Sequence, residues 1–137
     1  MSLFDTDAWR GRMDERWFAS GEAMAEAGAV DLVAIDDDAV TAHVTGSVGD
    51  LYVVELRAPD GEGACTCLGF EKFGACKHEA AVVVAANAAD PSKVRERMAR
   101  LRDGLALDSR EALVERLAEL ARKHPAVLTA LEGGRDL

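Results

Sequence analysis

The chain has few of the parts that several protein classes require. It holds only three cysteines, all between residues 65 and 76. Three thiols leave one unpaired in any disulfide scheme, and a bridge between near neighbours on one strand would be strained. No apolar run reaches the roughly 20 residues that a membrane-spanning helix needs. The opening Met1-Ser2-Leu3-Phe4-Asp5 lacks a basic stretch leading into an apolar one, so no signal peptide is expected and the thiols are expected in a reducing, cytoplasmic setting. There is no Gly-rich nucleotide fingerprint with its lysine, no Walker-type loop and no helicase signature. Asp36-Asp37-Asp38 lacks the spaced oxygen ligands and closing Glu of a calcium loop and reads as a polar turn.

Positive charge is scarce in the first half. Residues 1–63 hold four arginines against fourteen acids, within a formal net charge of −9 for the 137 residues. Such a field disfavours nonspecific attraction to phosphate backbones. The exception is local: Lys93, Arg95, Arg97, Arg100 and Arg102 oppose only Glu96 between residues 93 and 102. These five are the candidate partner-binding residues; the alternative is a solvated basic face, or an intramolecular counterpart to the acidic first half.

What the chain does have is a metal-ligand pattern. Cys65-Thr66-Cys67, eight residues, then Cys76-Lys77-His78 supplies a Cys3His set for one tetrahedral ion. Zn2+ accepts thiolate sulfur and imidazole nitrogen at roughly 2.3 and 2.0 Å, and two short-spaced pairs separated by a loop let a chain wrap one ion. In an extended segment Cys65 and Cys67 point to the same side, while Cys76 and His78 converge from a turn entering a helix. The competing readings are buried structural thiols, a nucleophilic cysteine with His78 as base, and a redox Cys-x-Cys. The first needs three unrelated core cysteines to cluster by chance, and the second leaves two thiols without a role. Four protein ligands also close the shell, leaving no position for an activated water, so no enzyme is expected.

Around this set the expected fold class is α+β: an N-terminal helix, an antiparallel β-meander, a zinc-bound β-β-α unit and C-terminal helices. A helix is expected over residues 7–27, with Trp9, Met13 and Trp17 on one core face, Gly21 as an interruption and Gly28 as the stop. The period then changes to two, predicting strands at 30–35, 39–45 and 51–57. His43 falls on the outer side of the second. Residues 59–63 turn the chain into the first ligand pair. Residues 68–75 are expected as a loop whose Gly69 and Gly74 permit a tight path around the metal, with Phe70 and Phe73 as cover for the site or, alternatively, surfaces for base stacking. Residues 77–89 are apolar nearly all round, which predicts a helix buried on most faces with His78 aimed at the metal. Amphipathic helices are expected at 92–102, with Val94, Met98 and Leu101 inward, and at 108–123, with Leu113, Leu117 and Leu120 in line and a capping-box start. His124 reads as a cap, and Gly133-Gly134-Arg135 as a frayed tail. The expected division is a helical flank at 1–29, the zinc-binding part at 30–90 and a helical flank at 91–137.

Cys65-x-Cys67-x8-Cys76-x-His78 resembles the SWIM-type zinc finger, in which Cys-x-Cys is followed by a variable spacer and Cys-x-His. The β-rich run Leu51-Tyr52-Val53-Val54-Glu55-Leu56 before it and Cys76-Lys77-His78-Glu79-Ala80-Ala81 leading into an apolar helix fit that context, and Trp9-Arg10-Gly11-Arg12 is similar to the Arg-Gly-rich approach to the finger in bacterial members. The resemblance implies one structural zinc in a β-β-α unit and a role as a DNA- or protein-interaction module. That finger occurs in helicase-like remodelling proteins, Mutator-type transposases and ubiquitin-system or kinase signalling proteins, whose catalytic domains have no counterpart here. The expectation is a stand-alone, non-enzymatic adaptor that binds a protein and takes neither a membrane nor a small-molecule substrate. The alternative is a nucleic-acid-binding accessory to a separately encoded ATPase or helicase-like partner.

Overall fold

The computed structural model describes residues 2–133; residues 134 and 135 of the expected tail lie outside them. The chain divides into two units, residues 1–98 and 99–137.

In the first unit, α1 (Thr6–Arg10) and α2 (Glu15–Glu26) precede β1 (Val30–Asp36), β2 (Ala39–Thr45), β3 (Leu51–Arg57) and β4 (Gly63–Cys65). Two helices follow, α3 (Leu68–Phe73) and α4 (Lys77–Ala88). The strands form one antiparallel sheet in the order β1-β2-β3-β4. The period-two pattern sorts its faces as the alternation dictates. Val40, Ala42 and Val44 of β2, with Val54 and Leu56 of β3, are buried on the inner face; Thr41 and His43 lie on the other side, where His43 is half-buried opposite Asp31. β1 slips register between Leu32 and Ala34, a local irregularity that strict alternation does not anticipate.

Helix α4 packs on this inner face and on α1 and α2. Its buried set, His78, Glu79, Ala80, Ala81, Val82, Val83 and Ala86, runs round the whole helix, so it needs cover on every side. The N-terminal segment supplies part of that cover. Phe4 and Trp9 are buried and meet edge-to-face at 5.8 Å. Asn87 accepts from the Phe4 amide at 2.8 Å and donates to the Phe4 carbonyl and Thr6 hydroxyl, and the Trp9 indole donates to the Pro59 carbonyl at 2.8 Å.

The single helix expected over 7–27 is two helices. Asp5 caps the first and Asp14 the second, accepting from the amides of Ala8 and Arg16 respectively. The break is filled by Arg12, whose guanidinium stacks on the Trp9 ring at 3.8 Å and donates to the carbonyls of Asp60 and Gly61. The expected stripe breaks with it: Trp9 is buried, Met13 and Trp17 are half-buried, and Phe18 takes the core position. Gly21 does not interrupt α2. It lies where α2 crosses α4, and a Cβ there would sit 2.6 Å from the Lys77 carbonyl oxygen and 2.7 Å from the Ala81 amide nitrogen.

In the second unit, α5 (Pro91–Ala106), which begins in the first unit, is followed by α6 (Arg110–Lys123) and α7 (Pro125–Glu132). α5 runs one turn beyond the expected residue 102 and includes Gly104. Ser109 caps α6, accepting from the Ala112 amide at 3.1 Å, and His124 joins α6 to α7. Val94 is buried, but Leu101, Leu117 and Leu120 are exposed.

A glycine-to-alanine change inside a helix ordinarily stabilises by about 1 kcal/mol. Overpacking costs about 1–3 kcal/mol, and at Gly21 the obstructing atoms are the Ala80 Cβ and the backbone of Lys77 and Ala81, none of which can swing aside by a rotamer change. Gly21→Ala is therefore expected to lower stability by about 2 kcal/mol in chemical denaturation, whereas Gly104→Ala, with nothing within 4 Å of its Cβ, should be neutral or stabilising.

Candidate metal centre

Four short-range devices bring the ligands together. β4 pairs Cys65 with Val54. The next ligand, Cys67, caps α3, its sulfur accepting from the Phe70 amide at 3.3 Å. Residues 68–75, expected as a loop, are instead this helix and its ending: Gly74 adopts φ 72°, the left-handed conformation glycine enters without steric cost. That reversal delivers Cys76 to the start of α4, where its amide donates to the Glu79 carboxylate at 3.2 Å, and His78 follows on the first turn.

As a result Cys65, Cys67, Cys76 and His78 are all buried, and their ligand atoms lie within 4.8 Å of one another. The Cys65 sulfur is 3.8 Å from His78 Nδ1. Bonds of 2.3 Å at tetrahedral angles would put sulfurs about 3.8 Å apart, so the four groups fit one metal ion with small adjustments. The donors also fit electrically, because thiolates gathered at the N-terminus of α4 lie at the positive end of its dipole. Without a metal the environment works against ionisation. Hydrogen bonding with Cys65 and burial push the Cys76 thiol up, and burial does the same at Cys67.

Two surrounding residues were not singled out from the sequence. Tyr52 stacks on the His78 ring, with centroids 4.5 Å apart; it shares the inner face of β3 with Val54 and Leu56, a position the strand alternation could have flagged. Glu79 is 3 % exposed, and burial raises its pKa to about 7 against the opposing pull of the Cys76 amide and Arg12. Gly63 leaves room for that carboxylate, which a side chain there would strike.

A cleft of about 650 Å3 opens beside the cluster, lined by Cys67, Cys76 and His78 and by the apolar side chains of Trp17, Val48, Leu68 and Phe73. Phe73, expected as cover, is 64 % exposed and leans on Trp17 at 5.3 Å; Phe70 is the one packed against the core. Lys93, Arg95 and Arg97 of α5 do not line this cleft. Arg97 forms a two-pronged ion pair with Asp31 and donates to the Leu32 carbonyl at 3.0 Å. By helical spacing Lys93, Arg97 and Arg100 share one side of α5, while Arg95 and Arg102 fall on the opposite side. No known protein family matches the chain, nor does any curated protein or solved structure at a significant level.

Metal binding must expel thiol protons. A titration with Co2+ is expected to saturate at one ion per chain and to release protons into a weakly buffered solution, with affinity falling as pH drops. Cys76→Ala should abolish stoichiometric uptake. Removing a group that orients a ligand typically costs 10–100-fold in metal affinity, so Tyr52→Ala should weaken binding about tenfold while Tyr52→Phe, which keeps the ring, should not.

Proposed function

We propose that the chain is a zinc-binding interaction module of the SWIM type, non-enzymatic, with one structural zinc on Cys65, Cys67, Cys76 and His78 and a protein as its partner. The observation that carries this reading is the buried Cys3His cluster at the junction of strand, capping turn and helix. Soft thiolates with one imidazole favour zinc over the hard cations that oxygen ligands take. Four protein donors complete a tetrahedral shell, which supports a structural ion over a catalytic one.

The cleft beside the cluster supports a protein partner. Val48, Leu68 and Phe73 are 84 %, 76 % and 64 % exposed, and an apolar rim of this kind is a feature of protein interaction sites. Nucleic acid is the weaker candidate, because the chain carries −9 overall and Arg97 is already engaged by Asp31.

Elemental analysis of freshly prepared, unstripped protein is expected to give about one zinc per chain; near-zero metal would sink the zinc assignment. Recovery from native cell extract, with and without nuclease, should yield the same protein partner in both arms. Labelled single- and double-stranded DNA at about 0.15 M salt should bind weakly or not at all. Tight, sequence-dependent binding there would replace the protein partner with nucleic acid.

A further inference from the structure

Gly69 stands where the metal centre meets the cleft. It lines the cleft together with Cys67, Cys76 and His78, and a Cβ built on it would lie in ordinary contact with the Cys67 sulfur at 3.8 Å and the Cys76 Cβ at 3.9 Å. A side chain at this position would roof the Cys67 sulfur, and none is there. Cys67 and Cys76 keep 6 % and 4 % of their surface. Cys65 is not among the residues that line the cleft; it is held on β4 against Val54.

The three thiols are therefore not equivalent toward a reagent in the cleft. The opening at Gly69 meets the sulfur of Cys67 but only the Cβ of Cys76, so Cys67 is the thiol met first. All three sulfurs lie within 4.8 Å of one another, which leaves two candidates to react with Cys67 in turn. Cys65 is the poorer one, because a bridge between near neighbours on one extended run is strained. Cys76 is joined to Cys67 through the whole of α3 and its Gly74 reversal, and it lines the same cleft.

We propose that Cys67 is a modification site for small-molecule disulfides entering through the cleft, and that its reaction passes to Cys76 and releases the ion, which makes the centre a reversible redox switch. The proposal rests on the zinc assignment above. A metal-bound thiol is deprotonated, and the thiolate is the attacking species. The Cys67 thiolate attacks one sulfur of the reagent, breaking the reagent's S–S bond, forming a mixed disulfide and expelling one small thiolate. The Cys76 thiolate then attacks the Cys67 sulfur, forming the Cys67–Cys76 bond and expelling the second small thiolate. Two electrons pass from the cysteine pair to the reagent, which leaves as two thiolates. Cys65 and His78 are then the only donors left, too few for a structural site.

Oxidised glutathione is the probe, added to the full chain after its metal content has been measured. One ion per chain is expected to be released, with a disulfide mapped by peptide mass spectrometry to Cys67 and Cys76, and metal binding should return after reduction. Gly69→Leu keeps all four ligands and roofs Cys67. It should hold the metal as the wild type does and slow release about tenfold, since exchange rates depend on access. Cys76→Ser should stop at the mixed disulfide on Cys67 and leave Cys65 free, a selectivity that an unfolded chain would not show. Metal that stays bound throughout would overturn the proposal. So would a bridge or mixed disulfide at Cys65, or a Gly69→Leu variant that releases metal as fast as the wild type. Protein that takes up no metal at all would sink the zinc assignment instead, and there the mapped bridge still decides whether Cys67 is the entry site.

Discussion

Helix α4 has no polar side, and the first unit is organised by the need to cover it. The inner face of the sheet takes one flank, through Val40, Ala42, Val44, Val54 and Leu56. Another flank is taken by α2, which comes close enough only because Gly21 presents no side chain to the backbone of residues 77 and 81. The chain start closes a third, held by Asn87 through both polar groups of its amide. At roughly 25 cal/mol per Å2 of apolar surface removed from water, this enclosure is the main source of cohesion. It also dictates that whatever α4 carries on its first turn is carried into the interior.

That first turn carries Cys76, His78 and Glu79, and burial has a different consequence for each. A buried carboxylate is driven toward its neutral form when desolvation outweighs its cationic neighbours, as at Glu79 against Arg12, and one oxygen still accepts the Cys76 amide that opens the helix. The Cys67 and Cys76 thiols are likewise pushed toward their neutral form while no cation is present. A divalent ion reverses this for the sulfurs, since its own charge outweighs the desolvation of the thiolates it binds. Metal affinity and fold stability are therefore coupled: the same packing that disfavours the free thiolates prearranges their sulfurs around one point.

What could be read from the sequence follows the range of the interactions involved. β2 and β3 fall where period-two alternation puts them, and the short-spaced ligand pairs indicated a shared site because spacing alone constrains their geometry. The break between α1 and α2 runs against the four-residue recurrence of Trp9, Met13 and Trp17, although its signal is local: Asp14, three positions after Gly11, is a good N-cap residue and caps α2. α3 is too short for periodicity to register, and its main marker is the left-handed Gly74 that ends it. Phe4, Asn87, Tyr52 and Glu79 owe their roles to contacts across the fold. No pattern along the chain reveals that Asn87 reaches Phe4, 83 residues away. No spacing along the chain names the class of partner.

The two units also divide the charge. Residues 1–98 carry the whole net −9 of the chain, and residues 99–137 balance to zero. One divalent ion held by three thiolates would make the first unit about one charge more negative. Long-range fields act chiefly on encounter rates and on which partners are rejected, and short-range packing sets most of the affinity. The net −9 on residues 1–98 therefore acts at long range against polyanions, while any contact at the cleft would be decided by its apolar rim. Within that unit Arg97 is held by Asp31, and Lys93 and Arg95 lie on different sides of α5. For the protein partner proposed above, the complementary surface is therefore apolar side chains set against the cleft rim of Val48, Leu68 and Phe73, with basic ones around them.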